Sequence, residues 1–260
     1  MIVKSNRAGN ITLLISTLGG GGAERVCVLL ANGLVCLGWQ VDLVILKQSS
    51  NDRSAELSDG VNLVCLGVTR ARYAPKALLR YLESSKPAIL LSFNNEVAIA
   101  EFLISLIRKR TYRFVHRNVT TLSSVLFHSG GGLLNKLRYW LLKKVLRQAD
   151  LVVSQCEEMA NDANKELGLV GLPYIYNPVV SRVTEPSTTT DASDVQFILC
   201  AGRIDRNKSF GLAVEALSLL PKTNKRTELW IAGEGPEKSG IERLAEQLGI
   251  KSRVRFLGYS

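Results

Sequence analysis

The sequence predicts an α/β protein of two doubly wound units, each a parallel sheet wrapped by helices, the second one incomplete. Three observations carry this expectation. Over the first 180 residues, short continuous apolar runs alternate with stretches of helical periodicity. That is the pattern of strands buried on both faces and joined by crossover helices. The rhythm then breaks at "SRVTEPSTTTDASD" (181–194), which is polar, rich in Ser and Thr, and reads as a linker. It restarts afterwards and completes three strands before residue 260. The expected organisation is a first unit at 1–180, a linker at 181–194 and a partial second unit at 195–260.

Each element follows from its residues. The strands expected in the first unit are "ITLLIST" (11–17), "VDLVILK" (41–47), "VNLVCLG" (61–67), "AILLSFN" (88–94), "YRFVHRN" (112–118), "LVVSQC" (151–156) and "YIYNPV" (174–179). Helical patterns fill 23–37, 75–85, 96–109, 132–148 and 157–167. After the linker come "VQFILCA" (195–201), a helix near 209–220, "ELWIAG" (228–233), a helix near 237–248, and "VRFLGY" (254–259). The amino-terminal stretch has a charged head and a short apolar run, as a secretory leader would. Gly19 to Gly22 instead lead straight into an amphipathic helix with no small-x-small cleavage site, so the run is expected to be the first buried strand of a cytoplasmic protein.

Composition narrows the classes. No apolar run reaches the roughly 18 residues of a membrane-spanning helix. Five cysteines at 27, 36, 65, 156 and 200 form no C-x-x-C pair, and His116 and His128 have no metal spacing, so reduced thiols and no metal site are expected. The net charge of +10 is concentrated in one place. Between Phe102 and Ala149 there are ten Lys or Arg and no acid, while the other 23 basic residues match the 23 acidic ones. An anionic surface partner is therefore expected at this segment. Nucleic acid is not, because the run lacks the interleaved aromatics of single-strand binders.

In parallel α/β sheets, ligands bind beyond the carboxyl ends of strands, and two loops there stand out. "TLGGGGAER" joins the first strand to the first helix. Its glycines let backbone approach a ligand, and the helix behind it presents free N–H groups and a positive dipole end. It is neither G-x-G-x-x-G nor a P-loop, and Lys47 stands where a ribose-binding acid would end the second strand, so a nicotinamide dinucleotide is disfavoured. Taken alone it is either a phosphate cradle or a plain strand-to-helix turn. "AGRIDRNKSF" (201–210) offers Gly202, Arg203 and Lys208 ahead of another helix. A guanidinium fork and an ammonium there suit a diphosphate, or else are two solvated cations. "IAGEGPE", with Gly233, Glu234 and Gly235, and "RVRFLGYS", with Leu257, Gly258 and Tyr259, should converge on the same sheet edge.

Taken in order, "GGAERV", "NPV", "GRIDRNKSF", "ELWIAGEGPE" and "VRFLG" resemble the retaining nucleotide-sugar glycosyltransferases of the GT-B fold, family 4, over nearly the whole chain. The resemblance implies two Rossmann-like domains facing across a cleft, the first taking the acceptor and the second the donor. It implies that Arg203 and Lys208 hold the donor diphosphate, that Gly21 and Gly22 approach the donor phosphate, and that Leu257 to Tyr259 lie beside the nucleotide base. Gly202, Gly233, Glu234 and Gly235 line the same cleft. No cofactor or metal is expected, the donor being a nucleotide-sugar, in the first instance a UDP-sugar. The family's Glu-x7-Glu pair falls a few tens of residues beyond residue 260, so the chain is expected to be a truncated form whose activity alone is in question.

His116, Arg117 and Asn118 end the fifth expected strand, where related enzymes place a residue facing a sugar. His116 is either that catalytic candidate or a hydrogen-bonded core histidine. Asn95 and Glu96 are cleft candidates by position, Glu96 equally a first-turn residue favoured by the helix dipole. In "LLNKLRYWLLKKVLRQA", Leu134, Leu137, Leu141 and Val145 share one side at helical spacing, and Lys136, Lys143 and Arg147 the other. That amphipathic arrangement suits anionic lipid headgroups on the inner face of the cell membrane; alternatively the leucines pack inward and the cations are solvated. The leading expectation is a cytoplasmic, membrane-peripheral glycosyltransferase using a lipid-linked or polysaccharide acceptor in cell-surface glycan synthesis. The competing one is a non-catalytic nucleotide-sugar or membrane-binding module.

Overall fold

The computed structural model describes residues 9–19, 21–49, 52–68, 73–124, 132–178, 196–221 and 227–258. It divides into two compact units, Met1–Ser181 and Arg182–Ser260. The linker expected at 181–194 lies outside the described residues.

In the first unit, β1 (Asn10–Ile15), β2 (Gln40–Ile45), β3 (Val61–Cys65), β4 (Ile89–Ser92), β5 (Arg113–Asn118) and β6 (Leu151–Ser154) form one parallel sheet in the order β3-β2-β1-β4-β5-β6. The continuous apolar runs are explained by burial on both faces. Leu14, Val44, Leu90 and Phe114 point into one core, packed by α2 (Ala74–Ser85), α3 (Asn95–Ser105) and Val145 of α4 (Leu133–Arg147). Leu13, Ile15, Leu43 and Ile45 point into the other, under Val26, Cys27 and Ala31 of α1 (Gly22–Cys36). A smaller cluster joins Leu142 and Leu146 of α4 to Ala163 and Leu167 of α5 (Glu157–Leu167). Strand order reverses at β1, so the loops leaving β1 and β4 run to opposite sides and open a crevice at the carboxyl edge.

Two local expectations change. The run 174–179 is not a strand in its described part: Tyr174 makes one isolated bridge to Ser154, and Tyr174, Ile175 and Tyr176 are exposed. Pro173 and Pro178 bracket this run and supply no N–H, so the ladder cannot extend. α3 ends at Ser105, short of residue 109, leaving Leu106 and Ile107 exposed.

In the second unit, β7 (Gln196–Ala201), β8 (Thr227–Ala232) and β9 (Val254–Gly258) form a parallel sheet in the order β7-β8-β9. α6 (Phe210–Leu219) and α7 (Lys238–Gln247) both pack on the face of Leu229 and Ile231, through Phe210, Val214, Leu217, Ile241 and Ala245. β7 is an edge strand of this sheet. Phe197, Ile198 and Leu199 remain 50%, 46% and 55% exposed. On the face opposite α6 and α7, Phe197 stacks on Trp230 at 4.1 Å and 8°, and the Arg255 guanidinium lies 5.2 Å from the Trp230 ring centre.

Candidate active site

In the second unit, two strand-to-helix loops and the end of β9 are stitched into one rim by backbone hydrogen bonds. Gly202 N–H donates to Ala232 O (2.9 Å), Ile204 N–H to Glu234 O (3.0 Å), Glu237 N–H to Ile204 O (3.2 Å), and Gly233 N–H to Gly258 O (2.7 Å). This closeness is why glycine stands at 233: its φ is +148°, and a Cβ there would sit 1.9 Å from the Gly202 carbonyl oxygen. A Cβ at Gly235 would meet the Ile204 oxygen at 2.1 Å. The loops around Gly202 and Gly233 and the end of β9 thus converge on one sheet edge, as their sequences predict.

Arg203 and Lys208 stand on that rim. The Arg203 side chain is 74% exposed, and its closest acid is Asp205, at 3.9 Å. Lys208 closes a short 3-10 turn ahead of α6, and its Cε lies 3.8 Å from where a Cβ on Gly202 would be. Its ammonium is thus tethered near the end of β7. Ser209 precedes α6 with φ 50°, so the chain turns sharply between the lysine and the helix. Glu234 is paired with Lys238 at 3.1 Å. Leu257 and Gly258 end β9 beside Gly233; Tyr259 lies outside the described residues.

In the first unit, Gly21 caps α1 without a side-chain bond, and Gly22 is its first residue. A Cβ on Gly22 would meet nothing within 4 Å, so packing within the chain does not require glycine there. The structure brings Glu96 to the same crevice: Ser16, just after β1, donates its hydroxyl to Glu96 Oε2 at 3.1 Å, while Asn95 opens α3. The Asn94 side-chain oxygen is buried without a partner among the described residues.

His116, Arg117 and Asn118 point to alternate faces of β5. His116 is fully enclosed; its Nδ1 lies 2.8 Å from Ser92 Oγ on β4, and Nε2 has no partner among the described residues. Burial depresses its pKa to about 4. Asn118 reaches Ser154 Oγ at 3.5 Å. Arg117 donates through Nη2 to Asn177 Oδ1, Asn177 Nδ2 donates to Gln155 Oε1 at 3.0 Å, and Gln155 Nε2 to Val119 O at 3.2 Å. Sequence reasoning missed Asn177 and Gln155 as partners; Asn177 was visible only as part of the "NPV" motif.

The basic helix α4 corrects the expected division of faces. Its inward side chains are Leu142, Val145 and Leu146, while Leu137 faces outward. Lys143 pairs with Glu166 at 3.2 Å, whereas Arg147, exposed, donates to the neutral Leu167 O at 2.7 Å and keeps its charge. The outer face carries Leu133, Leu137 and Trp140, which are 84%, 56% and 57% exposed, with Lys136, Arg138 and Lys144 also exposed. The Lys144 ammonium lies 5.4 Å from the Trp140 ring centre. Among the described residues, no three or more His, Cys, Asp or Glu gather where they could hold a metal ion.

Two parallel-sheet units, one with a cationic rim beyond its strand ends, place the chain in a fold class that solved structures share. HepE from Anabaena, crystallised with UDP and glucose, matches with a TM-score of 0.75 at 14% identity, over 97% of this chain and 70% of that one. The fold is that of the GT-B glycosyltransferases. Residues 21–178 match the Glycosyl transferase 4-like domain and residues 184–260 match Glycosyl transferases group 1, so the chain belongs to the Glycosyl transferase 4-like family. One curated relative is the Campylobacter jejuni N-acetylgalactosamine-N,N'-diacetylbacillosaminyl-diphospho-undecaprenol 4-alpha-N-acetylgalactosaminyltransferase. It is 24% identical over 95% of this chain and 68% of its own length. Another, the lipopolysaccharide core biosynthesis glycosyltransferase LpsD of Rhizobium meliloti, is 34% identical over 34% of this chain, which spans 25% of that protein.

Proposed function

We propose that the protein is a retaining glycosyltransferase that moves a sugar from a UDP-sugar to a lipid-linked or polysaccharide acceptor in cell-surface glycan synthesis. The observation that carries this is the stitched rim of the second unit with Arg203 and Lys208 upon it. Transfer breaks the bond between the anomeric carbon and the diphosphate, and the electron pair departs with the nucleoside diphosphate. Fixed cations placed where that charge develops lower the barrier. In this reading Arg203 and Lys208 carry the diphosphate charge without a metal, Leu257 and Gly258 lie by the base, and Gly21 and Gly22 leave the start of α1 open to a phosphate. UDP in the HepE complex supports the choice of nucleotide, and the diphospho-undecaprenol in the Campylobacter relative's name supports a lipid-linked acceptor.

The same reading puts the first unit against an anionic membrane from the cytoplasmic side. No helix among the described residues is long and apolar enough to cross a membrane. The outer face of α4 instead mixes exposed Leu, Trp and cations, the composition of a helix lying in the interface. The test of the donor site is calorimetry with UDP. Arg203→Ala and Lys208→Ala should each weaken binding by about 1.5–3 kcal/mol, the range for a charged hydrogen bond. Unchanged affinity in both variants would remove the donor-site assignment.

A further inference from the structure

We infer that Arg117 is a phosphate-binding residue of the first unit, its positive charge balanced by a ligand and not by the protein. Three observations lead there. The residue is only 6% exposed, and its Nε is buried with no partner among the described residues. No carboxylate among them lies within ion-pair distance of it, in contrast to the part-exposed Arg110, which the buried Glu101 grips at 2.6 and 2.8 Å. What holds Arg117 is a relay of neutral amides, Asn177 then Gln155, anchored on Val119 O. A buried charge with no counter-charge costs several kcal/mol, and amides orient a guanidinium without neutralising it. Glu24 acts electrostatically on Cys27 but makes no ion pair with Arg117. Cys27, on α1, is close enough for electrostatic influence, but burial pushes its thiol pKa up and keeps it neutral.

The place also fits. Arg117 is next to last in β5, at the carboxyl edge of the sheet where α/β ligands bind. A guanidinium with its plane fixed by one amide presents its remaining N–H groups as a fork, which suits phosphate oxygens. Two sources supply that chemistry: the diphosphate of a prenyl-linked acceptor and the phosphates of the nucleotide. Only the choice between them rests on the glycosyltransferase reading.

The experiment is calorimetry on the full chain with inorganic pyrophosphate, geranyl diphosphate and UDP, together with thermal melts, for the wild type, R117Q, R117K and N177A. R117Q should lose about ten-fold or more in affinity for at least one of the three ligands, with R117K partly rescuing it. Its melting temperature should be unchanged or higher, because the uncompensated charge is gone. N177A should weaken binding less than R117Q. Loss for geranyl diphosphate alone assigns the acceptor, and loss for UDP alone assigns the nucleotide. A strut would behave oppositely: R117Q would melt lower and bind all three ligands as the wild type does, and that result overturns the inference. So does a wild type that binds none of them. UDP binding that fails in R203A but survives in R117Q leaves the donor site intact, so failure here is separable from failure there.

Discussion

Replacing Gly233 with alanine should damage the donor rim in a way that can be worked from its geometry. The residue has φ +148°, and the new methyl carbon would stand 1.9 Å from the Gly202 oxygen. The backbone strain alone costs about 1–3 kcal/mol. To relieve the overlap, the loops after β7 and β8 must move apart. That puts at risk the bonds Gly202 to Ala232, Ile204 to Glu234 and Gly233 to Gly258, each worth about 1 kcal/mol net. The expected destabilisation of the second unit, if all three bonds are lost, is therefore about 4–6 kcal/mol. Hydrogen exchange resolved by residue, alongside urea denaturation, would show protection lost across 196–258 and retained in β1 and β2. UDP binding should fall with it. Gly22→Ala is the matched contrast: its methyl meets nothing within 4 Å, so the fold should be unaffected and any loss of UDP binding would come from the ligand's own approach. A Gly233→Ala protein with wild-type exchange and midpoint would refute the reasoning.

Two further outcomes complete the set. Flotation with anionic vesicles should retain the protein at low salt and release it as ionic strength rises, since exposed charges are screened over about 8 Å at physiological salt. Combining Trp140→Ser with Lys136→Gln and Lys144→Gln should abolish retention, whereas equal binding to neutral vesicles would count against an electrostatic surface. His116 stays neutral in the fold down to about pH 4, while an unfolded histidine takes its proton near the usual 6.5. The unfolded state thus binds the extra proton over that interval, and stability should fall by up to about 3 kcal/mol as pH drops through it. His116→Gln should flatten the slope in pH-dependent denaturation; an unaltered slope would disprove the assignment.

What was legible in the sequence was what lies close along the chain. Gly202, Arg203 and Lys208 are near neighbours, and a strand before them with a helix after them is enough to place all three at a carboxyl edge. The β-strands were readable because β1, β2 and β4 are buried on both faces and so are apolar without interruption. The same logic misled at 174–179, where an apolar, aromatic run is held between prolines that end the ladder. At β7 the apolar residues belong to an edge strand, and Ile198, on the helix-bearing face with Leu229, is nearly as exposed as Phe197 on the opposite one. The faces of α4 were ambiguous because leucines occur all around it; only its neighbours choose Leu142, Val145 and Leu146. The Arg117–Asn177 contact joins residues 60 positions apart, and nothing local in either residue announces the other.

The stacked pair on the face of the second sheet away from α6 and α7 has an optical consequence. Trp230 is the one indole in residues 182–260, the others being Trp39 and Trp140. Its ring is held flat against Phe197, beside the Arg255 guanidinium, and its Nε1–H is bound to Glu228 Oε2 at 2.7 Å. With Trp39 and Trp140 exchanged for phenylalanine, the fluorescence of the chain would come from β8 alone. Emission would then follow the melting of one unit while circular dichroism follows both, and the interval between the two curves would measure how far the halves of the protein fold as one.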